Sequence, residues 1–238
     1  MQKFKIAIPA SLTFGNLLSG FFAIIFAFKG ELMISTLFIF LSAVFDTFDG
    51  MIARKLNIPS NFGVQLDSLA DLGGFGFPAA IITYKFLFDS NEIYGFILGP
   101  LFLICGAYRL ARFNAELTEF EKKSFSGLPI PFAALTLVAY INMVNPAVNK
   151  SELFIYHAVI AAIISLMMVS RITYPAIPKL SASGIKEKPL FFVFMIAGIL
   201  LTFSYGFTAM FLIFASVILF GIVTTIFAGK RPESSPKH

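Results

Sequence analysis

Eight mostly apolar stretches of about 20 residues constrain the fold of this 238-residue chain more than any other feature. They lie near residues 6–28, 32–54, 64–88, 93–113, 128–146, 151–170, 189–206 and 208–229. A helix needs about 20 apolar residues to cross a bilayer. Charged residues make up 13% of the chain, which is too few to cover a soluble domain. The pattern predicts an all-α polytopic membrane protein, a bundle of about eight transmembrane helices forming one domain over residues 1–229.

The positions of the basic residues predict the orientation of this bundle. If both termini are cytoplasmic, Lys29, Lys85 and Lys150 lie on the outer side, which leaves 15 of the 18 lysines and arginines on the cytoplasmic side. Cytoplasmic loops of membrane proteins collect such residues. We therefore interpret the net charge of +5 as a topology signal and an attraction to membrane lipids, not as a sign of nucleic-acid binding. The tail, residues 230–238, has no apolar period and is predicted to be disordered.

Four aspartates lie where the second predicted helix ends and the third begins. Asp46 and Asp49 share one face of the second helix, and Asp67 and Asp71 share one face of the third, at about 100° per residue. A loop of about nine residues makes the two helices antiparallel neighbours, so the two faces can meet. Ionisable residues at membrane depth are costly and therefore favour a functional interpretation.

The aspartate cluster predicts a paired metal site. Two divalent cations would balance four carboxylates, and an all-oxygen ligand set selects magnesium, manganese or calcium over zinc. Bound magnesium is usually shared with substrate phosphates. Gly50 and Ala53 leave room for such a phosphate, and Arg54 and Ser60 can donate hydrogen bonds to it. The structural alternatives are that some aspartates cap helices or form ion pairs, and that Gly50 and Gly63 serve only close helix packing.

This segment resembles the defining motif of the CDP-alcohol phosphotransferases, D-x2-D-G-x2-A-R-x8-G-x3-D-x3-D. All eight fixed positions match: Asp46, Asp49, Gly50, Ala53, Arg54, Gly63, Asp67 and Asp71. The resemblance implies that an alcohol hydroxyl displaces CMP from a CDP-linked lipid at a dinuclear metal site. It makes the four aspartates metal ligands and Asp71 also the general base. Residues 13–16, TFGN, resemble the helix 1 segment that touches the nucleotide, so the implied CDP-lipid contacts are Asn16, Gly50, Ala53, Arg54, Ser60 and Gly63.

The acceptor is indicated by a second region, residues 105–131. The fourth predicted helix ends in GAYRLARFNAE, which holds Arg109, Arg112 and Asn114, and a GLPIP stretch follows. These segments resemble the phosphatidylserine synthase branch of the family, and a guanidinium fork matches the carboxylate of serine. We predict that serine is the acceptor and that these three residues bind it, with CDP-diacylglycerol or CDP-archaeol as donor. Positive-inside anchoring is the structural alternative for the arginines. The resemblance further implies a homodimer, and the distribution of basic residues puts the active site on the cytoplasmic side.

Two other functions stay open at this point. Glycerol phosphate or inositol phosphate could replace serine as acceptor, although a phosphate-bearing acceptor favours a denser basic pocket. A divalent-cation transporter could also use intramembrane aspartates. Transporters usually repeat their broken helices in two halves, whereas all four aspartates here lie within 26 residues.

Overall fold

The computed structural model describes residues 2–56, 61–88, 91–116, 124–144, 150–175, 197–198 and 200–228. The α-helices are α1 Gln2–Phe28, α2 Leu32–Lys55, α3 Asn61–Asp71, α4 Phe77–Phe88, α5 Glu92–Glu116, α6 Ile130–Val144, α7 Lys150–Val169 and α8 Phe207–Ala228. A π-helical segment, Leu72–Gly76, joins α3 to α4 without a break. The strands are β1 Ser124–Ser126 and β2 Thr173–Pro175.

The helices confirm an integral, polytopic, all-α membrane protein. Four stretches are long and apolar enough to span a bilayer, namely Pro9–Phe28, Leu32–Ala53, Glu92–Glu116 and Phe207–Thr225. The third predicted span is present as the continuous helical stretch of α3, the π segment and α4. The fifth and sixth predicted spans contain the shorter apolar helices Ile130–Val144 and Ile155–Val169. Of the seventh, residues 197–198 and 200–205 are helical and Gly206 forms a turn. Residues 189–196 and 199 lie outside the described residues, as does the predicted tail.

Gly30 and Lys85 fix the end of the first helical hairpin, formed by α1 and α2. Gly30, with φ of 82°, follows the end of α1. The chain reverses into α2 through this left-handed backbone conformation, which glycine adopts readily because it has no Cβ atom. Lys85 of α4 donates to the carbonyl oxygens of Ala27 and Phe28 at 2.6 and 3.1 Å. These carbonyls belong to the last turn of α1, where the helix itself supplies no further N–H. The Ala27 carbonyl also accepts from the Gly30 N–H at 3.0 Å. The α1–α2 hairpin is therefore fixed at this end by a cation from α4.

Helix α6 lies at the centre of the bundle. Its residues 133–142 are all buried, and Phe75, Phe102 and Met168 are fully buried side chains of the same core. By contrast, α1, α2, α5 and α8 expose many large apolar side chains on their outer faces. Soluble monomers rarely expose apolar patches of such extent. The outer surface of the bundle is therefore suited to contact lipid.

The π segment lets α1 approach unusually closely. A Cβ atom on Gly20 would collide with the backbone of Gly73 and Gly74, and one on Gly74 would collide with the side-chain amide of Asn16. Because these glycines have no side chain, the backbones meet directly. Single π turns are frequent at functional sites, and this one begins directly after Asp71.

The two short strands form an antiparallel pair that the sequence analysis does not predict. Phe125 is paired with Tyr174, and the flanking pairs join Ser124 to Pro175 and Ser126 to Thr173. The ring of Tyr174 packs against α8 so closely that a Cβ atom on Gly221 would collide with it. The pair therefore links the segment before α6 to the segment after α7.

Candidate active site

Two helices bring the four aspartates together. Asp46 and Asp49 come from α2, and Asp67 and Asp71 from α3. Carboxylate oxygens of Asp46, Asp49 and Asp67 all lie within 4.8 Å of one another. Asp71 interacts electrostatically with both Asp46 and Asp67. The two helix faces thus meet as the loop length suggests.

Burial and charge make this cluster suitable for a metal ion. Asp49 is 4% exposed and Asp71 8%, while Asp46 and Asp67 are partly buried. The Thr13 side chain interacts with the Asp49 carboxylate, although its hydroxyl donates to the Pro9 carbonyl at 3.0 Å. Asp49 Oδ2 has no hydrogen-bond partner among the described residues. A buried carboxylate oxygen left in this way is costly unless a cation or a donor meets it. A set of carboxylates alone fits hard divalent cations such as magnesium, manganese and calcium.

Asn16 reaches the cluster from α1. Its fully buried side chain donates from Nδ2 to Asp71 Oδ1 at 3.4 Å. The Ser42 hydroxyl of α2 donates to the backbone carbonyl of Asn16 at 3.0 Å, which fixes this part of α1. Within the described part of the chain, Asn16 Oδ1 has no hydrogen-bond partner. The amide therefore holds Asp71 with one end, and its oxygen at the other end lies against Gly74 of the π segment.

Arg109 adds a positive charge beside the carboxylates. It is 7% exposed, and its guanidinium lies over the Phe113 ring at 5.3 Å from the centroid. It interacts electrostatically with Asp71. Its Nε has no hydrogen-bond partner among the described residues. The structure thus brings the charge of this predicted acceptor residue within electrostatic range of Asp71.

Asn114 makes its hydrogen bonds to α3. Its Nδ2 donates to Ser68 Oγ at 2.8 Å and to Gln65 Oε1 at 3.5 Å. Ser68 lies between the two aspartates of α3, so this contact ties the end of α5 to the helix that carries them. Ser68 was not predictable from the sequence, because a serine between two functional residues carries no signal of its own. Acceptor binding by Asn114 stays a prediction.

Arg112 points toward the end of α7. Its guanidinium donates to backbone carbonyls, namely those of Val169 at 2.7 Å, Ser126 at 3.0 Å, Ser170 at 3.0 Å and Met168 at 3.4 Å. The structure does not bring this guanidinium to the aspartates in the way that it brings Arg109. Acceptor binding by Arg112 likewise stays a prediction.

The remaining predicted donor contacts lie around the aspartates in the chain. Gly50 and Ala53 follow the aspartates of α2 within two turns, and Gly63 lies in the first turn of α3. The side chain of Arg54 and the whole of Ser60 lie outside the described residues.

Comparisons with known proteins agree on one family. The family model for CDP-alcohol phosphatidyltransferase matches residues 6–170. A CDP-diacylglycerol--serine O-phosphatidyltransferase of Bacillus subtilis is 35% identical over 180 residues, which cover 76% of this chain and 96% of the relative. A protein of the same name from Methanocaldococcus jannaschii is 37% identical, with 73% and 76% covered. An archaetidylserine synthase of Methanothermobacter thermautotrophicus is 37% identical, with 75% and 73% covered.

Proposed function

The chain belongs to the CDP-alcohol phosphatidyltransferase family, and we propose that it transfers the phosphatidyl group of a CDP-linked lipid to the hydroxyl group of L-serine, with release of CMP. The donor is CDP-diacylglycerol or CDP-archaeol, and the product is phosphatidylserine or archaetidylserine. The names of the similar proteins support this acceptor. The observation that carries the proposal is the position of Arg109, a buried cation with an unused donor beside Asp71.

The donor side of the site is formed by the aspartates and by α1. Asp46, Asp49, Asp67 and Asp71 would hold two divalent cations, magnesium or manganese, with calcium as a further candidate. When bound, these ions neutralise charge on the diphosphate and on the departing CMP. Asn16 is the α1 contact to the CDP part in this proposal, and its Oδ1 has no hydrogen-bond partner among the described residues. Gly50, Ala53 and Gly63 leave space for the CDP part, and Arg54 and Ser60 donate hydrogen bonds to it.

Asp71 acts as the general base in this proposal. It accepts the proton of the serine hydroxyl as the serine oxygen bonds to the phosphorus of the phosphatidyl group, and the bond from that phosphorus to the CMP oxygen breaks. The Asn16 amide holds Asp71 Oδ1 by its hydrogen bond of 3.4 Å and so limits how the carboxylate can turn. A positioned base of this kind contributes roughly 10²- to 10⁴-fold to a rate.

Arg109 binds the carboxylate of serine in this proposal. Its guanidinium can offer two parallel N–H donors to a carboxylate, which fixes the orientation of the acceptor as well as its charge. Arg109 and Asp71 are both nearly inaccessible to solvent, so water competes poorly with serine for the donor phosphorus. The site is therefore suited to transfer rather than to hydrolysis.

The sidedness and the assembly belong to the same proposal. The aspartates lie at the end of the bundle that carries Lys55, Arg109 and Arg112, and cytoplasmic loops collect such residues. We therefore place the active site on the cytoplasmic side of the cell membrane. A homodimer, which the family resemblance implies, completes the proposal, and crosslinking of the protein in membranes tests it.

The choice of acceptor is tested with labelled alcohols. The assay contains purified protein, CDP-diacylglycerol in micelles, and Mg²⁺ or Mn²⁺. Labelled serine, glycerol phosphate or inositol phosphate is then added as the acceptor in separate reactions. We expect labelled lipid and stoichiometric CMP with serine only. Transfer to one of the phosphate-bearing acceptors would replace serine in the proposal. Uptake of divalent cations by liposomes, without CMP release from the lipid, would replace the enzyme by a transporter.

Substitution of Gly74 by alanine tests the contact between α1 and the π segment. The added Cβ would collide with the Asn16 amide, so we expect Asn16 to leave Asp71. Loss of a buried hydrogen bond of this type costs about 1–3 kcal/mol, which corresponds to a roughly 5- to 150-fold lower kcat/KM. The measurement is CMP release at varied serine concentration.

The matched control for Gly74→Ala is Gly198→Ala. A Cβ at Gly198 would meet first the Ile213 side-chain tip at 3.3 Å, and this tip can move aside. The control variant is expected to keep its activity. If Gly74→Ala also retained full kcat/KM, the role of Asn16 at Asp71 would have to be abandoned.

A further inference from the structure

Both terminal nitrogens of Arg112 are already used by the protein. Nη1 donates to the Val169 carbonyl at 2.7 Å, and Nη2 donates to the carbonyls of Ser126 and Ser170, both at 3.0 Å. The guanidinium also lies over the ring of Tyr108, with 5.8 Å to the centroid. An arginine offers five N–H donors in a fixed fork. The two terminal nitrogens, which would donate to a bound carboxylate, donate to backbone carbonyl oxygens in this chain.

The carbonyls of Val169 and Ser170 lie at a helix end that needs hydrogen-bond donors. Helix α7 ends at Val169, and Met168, Val169 and Ser170 present carbonyls at this end to Arg112. The last four carbonyls of a helix have no partner within the helix, and they carry the negative end of its dipole. Arg112 thus caps α7 with a cation that comes from α5.

The same guanidinium holds the turn that leads into α6. Gly127 has φ of 82°, and its N–H donates to the Ile172 carbonyl at 2.8 Å. The Leu128 N–H donates to the Met167 carbonyl at 3.1 Å. A Cβ on Gly127 would collide with the Met168 carbonyl and would lie 2.7 Å from Arg112 Nη2. The turn at residues 126–128 therefore fits against α7 and Arg112 only with glycine at its centre.

This arrangement is connected to the active site through α5. Arg109 lies one turn before Arg112 on that helix, and Asn114 lies two residues after it. Asn114 ties α5 to Ser68 of α3, while Arg112 ties it to the end of α7. The last two turns of α5 are thus anchored on both sides. This anchoring fixes the turn of α5 that carries Arg109, whose guanidinium lies over the Phe113 ring of the same helix.

We propose that Arg112 is a positioning residue, which fixes Arg109 beside Asp71 by joining α5 to the end of α7 and to the 126–128 turn, and that it does not itself bind the acceptor. The proposal replaces the sequence-based interpretation of Arg112 as an acceptor ligand. It rests on the proposed function for its kinetic consequence only, since the contacts themselves require no substrate.

A double-mutant cycle between Arg112 and Gly127 tests this role kinetically. Arg112→Lys replaces the fork by one compact ammonium, and Gly127→Ala disturbs the same contact from the other side. We expect each to lower kcat/KM for serine by about tenfold or more, and the double variant to be no worse than the more damaged single one. Additive losses, or unchanged kinetics in Arg112→Lys, would overturn the proposal. Arg171→Lys, at an exposed arginine beside the end of α7, is the matched control.

Amide hydrogen exchange gives a readout that does not depend on turnover. In the unmodified protein, the N–H groups of Gly127 and Leu128 are protected by their bonds to Ile172 and Met167. We expect Arg112→Ala to speed their exchange at least tenfold and to leave exchange in α2 unchanged. Unchanged protection at Gly127 would overturn the proposal even if activity fell. If exchange changes but no serine transfer is found in any variant, the positioning role stands and the proposed function fails.

Discussion

Replacement of Asp71 by asparagine is expected to lower kcat roughly 10²- to 10⁴-fold, the range that a general base contributes. Asparagine has nearly the same shape but cannot accept the hydroxyl proton at its amide. Its Oδ1 can still accept the hydrogen bond from Asn16 that Asp71 Oδ1 accepts in this structure. The site should therefore keep its packing while it loses the proton acceptor.

Two measurements separate this loss from a loss of binding. Single-turnover release of CMP reports the chemical step, and titration of the variant with CDP-diacylglycerol in nanodiscs reports donor binding. We expect the donor dissociation constant to change only slightly, because three carboxylates remain. The control is Glu92→Gln at the exposed start of α5, about 25 Å along that helix from Arg109. Near-normal turnover in Asp71→Asn would refute the assignment of the base.

Replacement of Asp49 by asparagine is expected to raise the metal concentration needed for half-maximal activity at least 10- to 100-fold. Even residues that only support a metal ligand change affinity by this amount, so a ligand should change it no less. Asp49 is almost fully buried, and its Oδ2 lacks a hydrogen-bond partner within the described residues. This oxygen is therefore the one best prepared to meet a cation.

Thermal unfolding with and without Mn²⁺ checks the same substitution independently of activity. Without metal, we expect Asp49→Asn to be at least as stable as the unmodified protein, because one of several like charges has been removed. With Mn²⁺, the unmodified protein should gain stability by mass action and the variant should gain much less. An equal gain in both proteins, with the Glu92→Gln variant as reference, would show that Asp49 does not bind the metal.

The aspartate cluster was predictable because its geometry is local. Asp46 and Asp49, or Asp67 and Asp71, share a helix face through their spacing alone, and a short loop makes their helices neighbours. The spans were predictable for a similar reason, since α1, α2, α5 and α8 are long, apolar and continuous. The β1–β2 pair was missed, because three-residue strands are too short to show an alternating pattern.

Arg109 and Arg112 show where prediction from the sequence ends. They lie three residues apart, so their side chains differ in direction by only about 60° around α5. From the sequence, both arginines were predicted to bind the acceptor. In the structure, one lies beside Asp71, and the other donates to the end of α7. A difference of 60° in direction predicts different contacts only when the positions of the neighbouring helices are known.

The sequence by itself determined that this is a membrane bundle with four carboxylates on two facing helices, because hydropathy and helical periodicity are properties of short segments. Only the tertiary structure decided which side chains complete the site. Asn16 meets Asp71 from 55 positions away because glycines allow α1 to touch the π segment. Such contacts depend on how whole helices pack, and packing is set by the complementary surfaces of distant segments rather than by any local pattern.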